Sequence, residues 1–259
     1  LRIPLYQVDA FAGRVFSGNP AAVCPLESWL PDATMQAIAA ENNLAETAFF
    51  AGSSGRYELR WFTPLAEVDL CGHATLASAL VVFRFLEPSL AEVRFDTKSG
   101  PLSVARDGEE LALDLPSRPP QACPEPAGLF EALGAAPREL LKSRDCLAVF
   151  DSEEEVRSLR PDMERLKRVE CFGVIATAAG READFVSRFF APAIGVPEDP
   201  VTGSAHCTLT PYWARRLGKT RLSARQLSAR GGELACEQRG ERVRLAGRAV
   251  LYLEGTITL

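Results

Sequence analysis

Histidine is the scarcest reactive residue in this 259-residue chain, which has only His73 and His206. A three-histidine metal site is therefore excluded, and neither Cys71/His73 nor His206/Cys207 has the spacing of zinc ligands. The seven cysteines are an odd, scattered set without a CxxC pair. That pattern argues against a disulfide framework and for free thiols in a reducing cytoplasm. No Lys/Arg block stands out and the net charge is −5, so no nucleic-acid partner is expected. The longest apolar run, Ala74 to Phe83, has about half the length of a membrane span. Leu1-Arg2-Ile3-Pro4 leads straight into strand-like alternation and does not resemble a signal peptide. No GxGxxG follows a strand, and Leu217-Gly218-Lys219-Thr220 lacks the upstream glycine of a phosphate loop. With no metal and no cofactor expected, cofactor-free chemistry or none remains.

What the chain does have is a repeat. Hydrophobic residues make up 47% and charged residues 24%, a globular balance. Arg60-Trp61-Phe62-Thr63-Pro64 returns as Arg188-Phe189-Phe190-Ala191-Pro192. Asp69-Leu70-Cys71-Gly72-His73-Ala74-Thr75 is echoed by Asp199-Pro200-Val201-Thr202-Gly203-Ser204-Ala205-His206, and Gly100-Pro101-Leu102 by Gly232-Glu233-Leu234. The offsets Arg60 to Arg188, Gly72 to Gly203 and Gly100 to Gly232 are 128, 131 and 132. Three matches in order at nearly constant offset imply a duplicated unit, two similar lobes and a cleft between them.

The prolines of 116–128 mark the boundary. The expected lobes are 1–117, joined by a returning C-terminal strand at 248–259, and 118–247. Strands are expected at 3–11, 44–51, 56–62, 91–96, 100–106 and 109–115, with a hairpin turn at Gly52-Ser53-Ser54-Gly55. Helices are expected at 32–43, capped by Asp32, and at 72–85, apolar all round and so buried. The second half repeats this plan, with a helix from Gly203 to about Leu217. The fold class is α+β: two pseudo-symmetric lobes, each a mixed sheet wrapped around a central helix.

Both histidines lie in the repeated turn. In each copy Gly-X-Ala opens a helix whose first N–H groups lack intrahelical partners. If a pseudo-twofold turned both ends to one cleft, they would form an anion site suited to a small carboxylate; close helix–sheet packing is the plainer reading of the glycines. Asp69 reads as an N-cap, whereas Pro200 fixes the turn at Asp199 and can aim that carboxylate inward. His73, at a helix start, is held toward the neutral imidazole, which can give or take a proton. Ser204 is its repeat equivalent, and His206 reads as structural. Glu46 alternates with Leu44 and Ala48 onto an apolar face, where desolvation suits a carboxylate to proton transfer; an edge strand open to water is the alternative. Thr202 stands where a second thiol would be needed to pair with Cys71, so two-thiol racemisation is excluded and Cys71 reads as packing.

These segments, with Asp9-Ala10-Phe11, Gly18-Asn19-Pro20-Ala21-Ala22-Val23 and Asn43-Leu44-Ala45-Glu46-Thr47-Ala48-Phe49, closely resemble the phenazine-biosynthesis PhzF-like proteins from residue 6 onward. The resemblance implies a diaminopimelate-epimerase-like fold and a homodimer. It implies that Glu46 shuttles a proton between two carbons of the substrate, as in the family's isomerase acting on a dihydro-hydroxyanthranilate. It also assigns His73 and Asp199 to the catalytic site with Ser204. The amides around Gly72 and Gly203, with Thr202, are expected to bind the substrate carboxylate. Cys71 and Ala74 depart from the phenazine enzyme's own pattern, which leaves the substrate open. A carboxylate-binding or adaptor protein without chemistry, and a cofactor-free epimerase, are the remaining alternatives.

Overall fold

The structure, a computed structural model, describes residues 1–259. The chain divides into two compact units, Leu1–Leu115 with Leu245–Leu259, and Pro116–Arg244. In the first unit the elements are β1 (Arg2–Ala10), β2 (Asn19–Leu26), α1 (Asp32–Asn42), β3 (Glu46–Ser53), β4 (Arg56–Phe62) and β5 (Glu67–Val68). They continue with α2 (Gly72–Val81), β6 (Glu92–Thr97), β7 (Gly100–Asp107) and β8 (Glu110–Pro116). The second unit holds β9 (Gln121–Ala122), α3 (Leu129–Leu133), β10 (Glu139–Lys142), β11 (Cys146–Val149), α4 (Glu153–Ser158), α5 (Met163–Leu166) and β12 (Val174–Ala179). After these come β13 (Phe185–Ala191), β14 (Val196–Asp199), α6 (Gly203–Leu217), β15 (Arg221–Gln226), β16 (Gly232–Arg239) and β17 (Arg242–Gly247). The last strand, β18 (Ala249–Thr258), returns to the first unit and runs antiparallel to β1.

The duplication seen in the sequence is a duplication of strand pairing. In the first unit β1 is antiparallel to β2, β2 parallel to β3, and β3 antiparallel to β4. Then β4 is parallel to β6, and β6 antiparallel to β7. The second unit follows the same course: β10–β11 antiparallel, β11–β12 parallel, β12–β13 antiparallel, β13–β15 parallel, β15–β16 antiparallel. Each copy is a mixed sheet, and its parallel steps need crossover connections that a hairpin cannot supply. In the first copy these connections carry α1 and α2, and in the second α6 spans β13 to β15.

Both central helices are buried by composition. Every residue of α2 except Leu80 is buried, because Gly, Ala, Ser and Thr let β1, β2, β3 and β7 approach it from several sides. It continues into a π-helical turn, Val82–Leu86, and Phe85 stacks on Tyr6 at 4.6 Å. The helix α6 runs through Pro211, which has no N–H to give the carbonyl of Cys207. The N–H of Arg118 takes that carbonyl instead, at 2.8 Å, so the helix passes the proline without leaving a buried acceptor unpaired. A second layer covers the other face of β3 in the first unit, where Met35 and Ile38 of α1 pack with Phe49 and Phe62 of the sheet. Each such side chain contributes about 1.5–3 kcal/mol by leaving water.

Two expected caps are not found. Pro31 occupies the N-cap position of α1, and Asp32 is instead the first helical residue, turned to the guanidinium of Arg60 at 2.8 Å. Asp69 is exposed and lies two residues before Cys71, which occupies the N-cap position of α2, so it caps nothing. Asn43 does end α1, in the left-handed conformation with its N–H on the carbonyl of Ala39. No helix is long and apolar enough to cross a membrane.

Candidate active site

The first unit gathers Glu46, His73, Cys71 and Asn19 from three elements. Glu46 is the opening residue of β3, on the face of that strand opposite Phe49 and so toward α2. His73 is the second residue of α2, and its imidazole is 4% exposed against 15% for the Glu46 side chain. Nε2 of His73 lies 3.1 Å from Oε2 of Glu46. The approach is off the hydrogen-bond axis, and neither atom has another partner in the protein.

The other ring nitrogen is fixed by a residue that sequence reasoning did not single out. Asn19 opens β2, is wholly buried, and places Nδ2 3.1 Å from Nδ1 of His73. Its position depends on Gly18, whose φ is +65° and where a Cβ would lie 2.2 Å from the Ala10 carbonyl oxygen. With the amide nitrogen against it Nδ1 is an acceptor, and with the amide turned to present Oδ1 it is a donor. Burial disfavours a charged His73, but the hydrogen bond to Cys71 and the charge and hydrogen bond of Glu46 work against that cost, and its pKa is pushed up. Protonation of Nδ1 would require Asn19 to turn its amide and present Oδ1.

Cys71 is more than packing. Its Sγ lies 3.6 Å from Nδ1 of His73. Burial pushes the thiol up to about 11, with Glu46 adding to the shift, so it stands protonated at neutral pH. One donor atom each from Glu46, Cys71 and His73 falls within 4.8 Å of the other two. Chain spacing between Cys71 and His73 could not reveal this set, because Glu46 arrives from another strand.

The second unit builds its own cluster at the start of α6. The Thr202 hydroxyl makes a short hydrogen bond to Oδ2 of Asp199. Gln226, at the end of β15, accepts from the Thr202 N–H at 2.9 Å and donates to the Asp199 carbonyl at 2.7 Å. Its amide also reaches the Thr202 hydroxyl at 3.1 Å. The hydroxyl and N–H of Thr202 are therefore both hydrogen-bonded within this cluster, to Asp199 and Gln226. Ser204 holds the same position in α6 that His73 holds in α2. Its Oγ accepts from Nη2 of Arg144 at 3.1 Å, leaving the hydroxyl proton to point elsewhere.

Arg144 was not legible as a site residue. It pairs with Asp145 through Nε and Nη2, each at 3.2 Å, and lies over the Phe172 ring at 4.3 Å. Asp145 is 1% exposed, and burial raises its pKa despite Arg144. Gly72 and Gly203 each open their helix, and no side chain caps either start. His206 is structural: Nδ1 lies 2.8 Å from the Thr202 carbonyl, and burial lowers its pKa to about 4.

A duplicated α+β unit with an uncapped buried helix start in each copy is the architecture of the diaminopimelate-epimerase-like fold. The chain belongs to the phenazine biosynthesis-like (PhzC-PhzF) family, whose model matches residues 8–255. A Pseudomonas aeruginosa protein described as an uncharacterized isomerase is 57% identical over 259 residues, all of both chains. The crystal structure of a PhzF-family phenazine biosynthesis protein from Enterococcus faecalis superposes with a TM-score of 0.96, at 48% identity over all of both chains. A hydroxyproline epimerase from Agrobacterium vitis shares the fold alone, with a TM-score of 0.62 and 12% identity over 99% of this chain and 92% of its own.

Proposed function

We propose that the protein is a cofactor-independent isomerase that moves a proton between two carbons of a small cyclic or unsaturated carboxylate. Glu46 is the base that lifts the proton and the acid that returns it. The observation that carries this reading is the Glu46–His73 pair: two buried polar atoms 3.1 Å apart, both without a satisfied hydrogen bond. A carboxylate whose neighbour does not hold it in a linear bond keeps a lone pair for a substrate proton. His73, steadied by Asn19, stabilises whichever charge state Glu46 passes through. The isomerase name carried by the Pseudomonas relative points the same way.

By the family's motif, Asp199 and Ser204 are substrate-binding residues, and the helix-start amides at Gly72 and at Gly203 are each candidate carboxylate donors. Ser204 suits this role because Arg144 occupies its acceptor side and leaves the hydroxyl to donate. The rate would come from holding a reactive carbon against a fixed base in a water-poor setting. The protein is proposed to work as a homodimer, as the family resemblance implies.

The experiment is incubation with a panel of small unsaturated and cyclic carboxylates in heavy water, read by NMR and chiral chromatography. Deuterium at carbon with a shifted double bond supports the isomerase. Inverted configuration would instead make it an epimerase. Tight binding without exchange would make it a carboxylate sensor.

A further inference from the structure

We propose that Arg144 recognises the substrate's acid group: its guanidinium binds a carboxylate together with the Ser204 hydroxyl, and Arg118 supports it from nearby. That the ligand is a substrate rests on the function proposed above, but recognition of a carboxylate does not. Arg118, Arg144, Asp145, Phe172 and Ser204 all lie within the second unit, Pro116–Arg244. A guanidinium that serves only the fold has its donors met by the protein. Arg60 and Arg188 are of that kind, since Nε, Nη1 and Nη2 of each reach a protein acceptor. In Arg144, Asp145 and Ser204 take Nε and Nη2, and Nη1 donates to nothing in the protein.

The spare nitrogen is held in place. Asp145 fixes one edge of the guanidinium and the Phe172 ring lies under its face at 4.3 Å. The Arg144 side chain is 27% exposed, so a ligand can reach it. Ser204 Oγ accepts from Nη2 at 3.1 Å, which leaves its own proton for another acceptor. Nη1–H and Oγ–H are therefore two donors on one end of the guanidinium, matched to the two oxygens of a carboxylate. Phe172, 43% exposed, offers a ring beside them for a cyclic or unsaturated body. The charge balance points the same way. Asp145 is the carboxylate that Arg144 touches, and Arg118 acts on that same group through its charge. The half-buried Arg118 side chain has no hydrogen bond of its own; only its backbone N–H is engaged, on the Cys207 carbonyl. One buried negative charge thus faces two guanidiniums, and a bound carboxylate evens the count.

The test is NMR titration of the protein with cyclohex-1-enecarboxylate and with its carboxamide, which keeps the ring and loses the charge. The wild type should bind the carboxylate saturably and prefer it to the amide by about tenfold or more, the scale of a hydrogen bond to a charged group. Arg144→Gln should erase that preference and Arg144→Lys should restore part of it. Arg118→Gln should reduce it by less than Arg144→Gln does. No saturable binding, no preference in the wild type, or a preference unchanged in Arg144→Gln overturns the proposal. A crystal structure of the wild type with the carboxylate does not depend on any variant folding. Its oxygens should lie within hydrogen-bond distance of Nη1 of Arg144 and Oγ of Ser204, and a carboxylate seated elsewhere overturns the proposal equally. Deuterium exchange is scored separately. Arg144-dependent binding without exchange leaves this site standing and removes the isomerase; exchange with a preference indifferent to Arg144 does the reverse.

Discussion

Arg188 in β13 grips Glu198 with two parallel hydrogen bonds, Nε to Oε1 at 2.8 Å and Nη2 to Oε2 at 3.0 Å. Its repeat mate Arg60 grips Glu67 in the same way, at 2.7 and 2.9 Å, and each guanidinium lies over the phenylalanine two residues on. The duplicated Arg-X-Phe is therefore a structural clamp. The copies differ in burial: the Arg188 side chain is 10% exposed and also donates to the carbonyls of Val156 and Leu159. Arg60 is 20% exposed and extends to the exposed Asp32.

Removing Arg188 should consequently cost more than removing Arg60. Arg188→Ala strands a partly buried carboxylate and two buried carbonyls, an expected loss of about 3–5 kcal/mol. Arg60→Ala should lose clearly less. Urea unfolding of the two variants checks the order, and equal losses would show that burial does not decide it.

Asn19 should control the charge of His73. Asn19→Asp places a carboxylate against Nδ1, so the imidazolium gains a second acceptor and its pKa should rise further. The chain's two histidines make the ring nitrogens easy to assign by NMR. A His73 titration identical in wild type and variant would deny Asn19 this role.

His206 makes stability depend on pH in a definite direction. Its folded pKa of about 4 lies below the ordinary 6.5 because burial disfavours the charged ring. Between these values the unfolded chain binds the extra proton and the folded chain does not. Stability from this group is therefore full above pH 6.5 and is lost as pH falls toward 4, by about 3 kcal/mol in all. His206→Asn should flatten that part of the stability–pH curve, measured as wild type minus variant by denaturant unfolding at each pH.

Gln226 should hold Asp199 in place. Gln226→Leu leaves the Thr202 N–H and the Asp199 carbonyl without their partner, at a cost of about 1–3 kcal/mol for each stranded group. Carboxylate binding should weaken with it, and Gln226→Glu should not rescue it, because a carboxylate oxygen cannot donate to the Asp199 carbonyl. Thermal melts and ligand titration of both variants check this.

Much of the architecture could be read from the chain because duplication writes the same constraint twice. The helix starts at Gly72 and Gly203 and the paired Arg-X-Phe strands stand out for that reason. The pairing of Glu46 with His73 was reachable only through family resemblance, since alternation along a strand says which face a side chain takes but not what it meets there. Asn19 and Arg144 were missed for a simpler reason. Their contacts join residues 54 and 60 positions apart, and no local pattern encodes such a distance. Cys71 was read as packing because its repeat mate is Thr202, yet the imidazole it touches belongs to its own helix. Asp32 and Asp69 were read as caps from residue type alone; in the fold, Arg60 claims the first and a turn two residues too early carries the second.

The account rests on Glu46 as the moving acid and base, and proton exchange in a Glu46→Gln variant tests this most directly. With any carboxylate that the wild type labels in heavy water, Glu46→Gln should lose about 10²–10⁴-fold in exchange rate while still binding the ligand. Exchange at the wild-type rate would remove Glu46 from the chemistry and the account with it.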